Sequence, residues 1–175
     1  MSTEKTTDGS TASDAVSSEF VEIRNREYVA SEGLKVVAHE RSLVAAYKGS
    51  IVNAFEGSNV VAHEGSVVYA REGSNVAAYR GSIVYPYKGS FVEALEGSLV
   101  SALAGSKVGA YKGSTVNACE GSTVDAHEGS VVNAHKGSNV VAYAGSIVNA
   151  FEGSHVDAKK GSLVIFHKSS AAGDR

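Results

Sequence analysis

From Asn25 to Lys168 the apolar and polar positions alternate in a pattern that restarts every eight residues, giving eighteen copies of G-S-x-V-x-A-x-x. The fourth position is valine in seventeen of the eighteen copies, from Val36 to Val164, with Tyr28 in the first. The sixth is alanine except at Pro86 and Phe166, and the second is serine without interruption from Ser42 to Ser162. Positions three, five and seven vary freely. A period of two marks a strand with one buried face. Each octad therefore predicts one short strand with Ser, Val and Ala inward, closed by a turn at positions eight and one, as at Glu56-Gly57. Glycine every eight residues and abundant valine disfavour helix. Self-similarity at so short a period means stacked repeats, each covering the apolar face of the next.

Inward residues this small cannot fill a wide barrel, so the core must be thin: two short sheets face to face, with one octad on each side of a flattened coil. Charge chooses between coils of two and three octads. Stacked every 16 residues, position eight reads Glu32, Lys48, Glu64, Arg80, Glu96, Lys112, Glu128, Ala144, Lys160, and the sign alternates at nearly every step. Stacked every 24, Lys88 meets Lys112 and Lys136, and Glu72 meets Glu96 and Glu120. Neighbouring strands lie ~4.8 Å apart, where opposite charges help and like charges repel by ~0.2–1 kcal/mol. The 16-residue coil, and with it an ion-pair ladder along the rod, is the expectation.

Position three gives the same answer. Alternate octads read Lys35, Ile51, Val67, Ile83, Leu99, Thr115, Val131, Ile147, Leu163, while the others read Leu43, Asn59, Asn75, Phe91, Lys107, Thr123, Asn139, His155. Only a two-octad coil separates an apolar-edged face from a polar one. The expected fold is all-β: a single-stack, two-sided β-solenoid of about nine coils over residues 19–168, or ~43 Å of rod. A disordered polar tail is expected over residues 1–18 and a short tail over 169–175. Phe20 and Tyr28, read at inward fourth positions, and Phe166, at an inward sixth, are expected as end caps against edge-to-edge growth.

Composition narrows the function. A net charge of -3 offers no basic footprint for nucleic acid or anionic membrane. No apolar run is long enough to span a bilayer, and residues 1–18 lack the apolar core of a secretory signal, so a cytoplasmic location is expected. Cys119 is the only cysteine and has no partner within the chain for a disulfide. Sixteen of the nineteen glycines open an octad and read as turn residues rather than as flexible chain.

The octad paired into 16-residue coils resembles the repeats of bacterial ice-nucleation proteins, most closely over Gly113–Glu128 (GSTVNACEGSTVDAHE). The resemblance covers the whole array and implies the solenoid fold. In that family an outward Thr-x-Thr pattern repeats coil after coil and is taken to organise water. Here the third position is threonine only at Thr115 and Thr123, with Asn117 and Asp125 two residues on, so the threonine ladder is missing. Bactofilin-like cytoskeletal solenoids are similar in kind, with longer, three-sided coils.

Candidate chemistry is thin. Five of the six histidines, His39, His63, His127, His135 and His167, lie at outward seventh positions and His155 at a third. Tyr111 and Tyr143 flank His127 in the stack, so no second metal ligand stands beside it. Cys119 and His135 fall in adjacent coils, but with no orienting third group and no oxyanion donors. The inward serines are expected to bond turn backbone or one another. The Gly-Ser pairs open no helix and so cannot cradle phosphate.

The reading is of a non-enzymatic structural or interaction protein with no cofactor and no metal. Its partner is a second copy or an unidentified protein, met through Ile51, Val67, Tyr69, Ile83, Tyr85, Tyr87, Leu99, Leu103, Val131, Ile147 and Leu163. Exposed contiguous apolar surface with aromatic residues marks contact sites. The alternatives are an ice- or surface-binding solenoid and, below it, an end-to-end filament. A DNA mimic would need a dense acidic stripe, and the alternating Glu/Lys column is the opposite.

Overall fold

The computed structural model describes residues 20–168, so the expected tails over 1–18 and 169–175 lie outside the described residues. Among the described residues there is no helix, and nineteen strands follow one another from β1 (Val21–Ile23) and β2 (Glu27–Ala30) to β18 (His155–Ala158) and β19 (Leu163–His167). Odd-numbered strands build one ten-stranded sheet and even-numbered strands a nine-stranded one, each in chain order. Every pairing is parallel, and Val67 faces Ile83 and then Leu99 at steps of 16 residues. The fold is thus a β-solenoid of about nine two-sided turns, one octad per side.

The inward positions behave as the octad requires. The fourth-position valines from Val36 to Val148 are buried in one continuous core with the alanines between them. Burying a valine contributes about 1.5–3 kcal/mol, and the array repeats that term in every octad. The serines from Ser42 to Ser146 are buried too, and their hydroxyls donate to the carbonyl three residues back, as Ser114 Oγ does to Tyr111 O at 2.6 Å. The expectation that they bond turn backbone is met.

The turns stack as well. Gly113 N donates to Gly129 O at 2.8 Å, and the same bond recurs from coil to coil. The first-position glycines hold a left-handed φ, and so do the two residues that replace them, Asn25 at 53° and Arg41 at 56°. The turn therefore imposes its conformation whatever side chain occupies it.

Three details differ from the sequence reading. Phe20 is not inward. β1 pairs with Val21 opposite Val36 and Ile23 opposite Ala38, an offset of 15, so Phe20 falls on the outer face and is exposed. The alternative register would have set Glu22 inward beside Phe20, and burying an unpaired carboxylate costs far more than turning a phenylalanine outward.

The ion-pair ladder does not close. The position-eight column runs as expected, yet among the described residues no lysine or arginine of that column pairs with a neighbouring glutamate. The stems instead lie across the glycine of the next coil, where a Cβ on Gly81 would come within 2.8 Å of Glu64 Cγ. An exposed pair worth ~0–1 kcal/mol is too weak to hold two long side chains together.

Phe166 does stand in the inward register opposite Ala150, but it is 77% exposed. Tyr28, opposite Val44, is partly buried and packs against the core.

Candidate interaction faces

The two outer faces differ in chemistry because the 16-residue register sorts the variable positions into rows. On the odd sheet the third-position row runs Ile51, Val67, Ile83, Leu99, Thr115, Val131, Ile147 and Leu163. Leu99 is 39% exposed and Leu163 53%, while Ile51, Val67, Ile83 and Val131 are half-buried by their neighbours in the row. The matching row of the even sheet is broken by Asn59, Asn75, Lys107, Thr123, Asn139 and His155, and Asn75 Nδ2 donates to Asn59 Oδ1 at 3.4 Å.

The fifth-position row of the odd sheet has two parts. Tyr69 and Tyr85 stack with ring centroids 5.4 Å apart. Further along, Asn133 donates to Asn117 at 2.8 Å and Asn149 donates to Asn133 at 2.9 Å, so one amide ladder spans three coils. The seventh-position row sets the Arg71 guanidinium 4.3 Å from the centre of the Tyr87 ring. Such a contact holds the cation flat on the sheet edge, worth ~0.5–1 kcal/mol at an exposed site.

Pro86 sits at the middle of this face. It is buried in the alanine column, and the strand ending there, β9 (Ile83–Pro86), pairs with β11 (Leu99–Ala102) over Leu99 and Val100 only. Proline has no N–H to continue the ladder. Tyr85, Tyr87, Leu99 and Leu103 surround this shortened pairing. The residues expected to form the interface therefore do lie on one sheet. Tyr69, Tyr85, Tyr87 and Leu103 are partly buried against their neighbours, whereas Leu99, Ile147 and Leu163 stand clear.

The histidines are engaged elsewhere. On the even sheet His63 lies between Tyr47 and Tyr79, with centroids at 4.5 and 5.6 Å, and His127 between Tyr111 and Tyr143 at 4.8 and 5.0 Å. Leu95 separates the two sandwiches in the same row. On the odd sheet His135, Phe151 and His167 stack in turn. Cys119 is half-buried one coil from His135. Among the described residues no three His, Cys, Asp or Glu side chains converge. The Tyr111–His127–Tyr143 neighbours were legible in the sequence as a seventh-position column at period 16, and the stacks at His63 and His135 follow from the same arithmetic.

One side chain has a perturbed charge state. Lys159 donates to Asp157 at 2.6 Å, and that hydrogen bond, with the carboxylate's charge, raises the Lys159 pKa above the ordinary lysine value. The ammonium accordingly stays charged throughout the neutral range.

No protein-family model and no curated protein matches the chain. Among solved structures, the solenoid is similar to a TibC-catalyzed hyper-glycosylated TibA fragment, with a TM-score of 0.42 and 14% identity over 83% of this chain and 72% of that one.

Proposed function

We propose that this chain is a non-enzymatic scaffold, a β-solenoid rod that packs its odd-sheet face against a second copy or a protein partner. The observation that supports it is the third-position row, apolar from Ile51 through Leu99 and again from Val131 through Leu163, whereas the matching row of the other sheet is mostly polar, interrupted by Leu43 and Phe91. Flat sheets pack face to face by interdigitating such rows, and contiguous exposed apolar surface is uncommon unless something covers it. Tyr69, Tyr85 and Tyr87 add aromatic area at low conformational cost.

Solution mass by light scattering tests this reading. The parent chain should show a discrete dimer, or bind its partner, whereas I83K/L99K should stay folded and lose that association. An unchanged mass for I83K/L99K would move the contact to another face.

Ice or surface binding, which the resemblance to ice-nucleation repeats implies, is the second reading. The Asn117–Asn133–Asn149 ladder favours it as a regular polar row. Thermal hysteresis in the parent chain, lost in N133A, is the expected result under that reading.

A further inference from the structure

We infer that the partner on the odd-sheet face is a second copy of this chain, packed antiparallel about a two-fold axis that runs along β11. This rests on the face contact proposed above, and it adds who the partner is and in which register it sits. An axis parallel to the strands keeps each outer row against its own counterpart and reverses the order of the coils. A residue some number of coils before β11 then meets the residue of the same row that number of coils after β11 on the other copy. A self-complementary contact of this kind requires each row to fit its own reverse.

The odd-sheet rows fit their reverse. In the third-position row Ile51 meets Ile147, Val67 meets Val131, and Leu99 meets its own counterpart on the axis. The seventh row sets Phe55 against Phe151 and Leu103 against Leu103. In the fifth row a large side chain meets a small one, Tyr69 against Asn133 and Tyr85 against Asn117. Asn117 ends the amide ladder. Its Oδ1 accepts from Asn133, and among the described residues its Nδ2 donates to no other side chain. The Tyr85 hydroxyl of the other copy would give it an acceptor.

Charge fixes the register. The eighth-position side chains follow the seventh row at the edge of this sheet and are exposed. With the axis on β11, Lys88 meets Glu120, Glu72 meets Lys136 and Glu40 meets Lys168, against one like pair, Glu56 with Glu152. Moving the axis by half a coil sets Glu72 against Glu120 in one direction and Lys88 against Lys136 in the other. Parallel copies, with the axis along the rod, would press Arg71 onto Val67. The even sheet fails the same test. An axis through its middle coil at Leu95 would set Glu93 and Glu96 against their own counterparts and Arg80 against Lys112.

The face is also large enough. Five residues across and nine coils along give roughly 700 Å² per copy, close to the ~800 Å² per partner of a standard interface. Leu99, 39% exposed, lies at its centre, where contacts contribute most. The charged row lies at the rim, as in other interfaces.

Spin labels placed singly at eighth positions in a C119A background test the register through pulsed EPR distances. The two labels of a dimer should be close for A104C and separated along the rod by about 38 Å for E40C. E72C and K136C should give equal separations. Light scattering supplies the charge test in the parent background. K88E and E120K should each weaken dimerisation about tenfold, and K88E/E120K should restore it. A dimer lost in I83K/L99K but with equal label separations for A104C and E40C would overturn the antiparallel register and leave the face reading standing. So would a K88E/E120K dimer weaker than that of either single variant. A parent chain that is monomeric at every concentration would overturn the second copy as partner, with the face left to a different protein. A dimer that persists in I83K/L99K would overturn the face reading and this register together.

Discussion

Glu120 Cγ occupies space that a side chain on Gly137 would need: a Cβ there would lie 2.7 Å away. One coil earlier the same relationship is relaxed, because Ala104 replaces the long side chain and a Cβ on Gly121 would come no nearer than 3.5 Å, to Ala104 Cβ. Both glycines share a left-handed φ of 74°. The pair separates two reasons for glycine, conformation and room. G121A should lose about 1–2 kcal/mol, the cost of left-handed backbone for an L-residue. G137A should lose more, and E120A/G137A should return towards the G121A value. Chemical denaturation of the three variants measures the order, and equal losses in G121A and G137A would remove the packing role.

Arg41 is the converse case. It holds the glycine conformation at φ 56° and makes the glycine turn bond, Arg41 N to Gly57 O at 3.0 Å. R41G should stabilise the rod. Relief of about 1–2 kcal/mol is offset by about 0.5–1 kcal/mol of extra glycine chain entropy. A lower denaturation midpoint than the parent's would contradict this.

The asparagine ladder predicts unequal losses. Asn133 both donates to Asn117 and accepts from Asn149, whereas Asn117 takes part in one of these two bonds. At about 0.5–1.5 kcal/mol per bond, N133A should cost about twice as much as N117A. Equal costs would mean that the ladder is incidental to stability.

Pro86 interrupts a ladder that is otherwise continuous. P86A restores an amide, and hydrogen exchange should find that amide protected and the pairing of β9 with β11 extended past Val100. The net stability change should stay within about 1 kcal/mol. A new bond of about 0.5–1.5 kcal/mol is opposed by about 0.4–1 kcal/mol of unfolded-state entropy that proline had removed, and by the smaller side chain. An unprotected amide at position 86 would show that the interruption has another cause.

Most of the fold is legible in the octad. Valine at position four and alanine at position six set the inward face, and the sign pattern at position eight chose the 16-residue coil. The same reading erred where the repeat decays. Phe20 was assigned by counting octads back from Asn25, but period-two arithmetic on Glu22 already opposed that register. Glu32 and Lys48 do stack in register, yet they lie on exposed turns where solvent competes with the ion pair.

The sequence alone determined the architecture, because a strict repeat gives every coil the same neighbours: one octad's burial pattern is every octad's. It also determined which residues share a row, since a two-octad coil is periodic arithmetic. Only the tertiary structure decided what those rows do. It laid His127 flat between Tyr111 and Tyr143, joined Asn117, Asn133 and Asn149 into a ladder, carried Glu120 across Gly137, and left Phe166 uncovered. Rotamer choice, solvent exposure and the loss of neighbours at an end depend on surroundings in three dimensions, which a repeat unit does not encode.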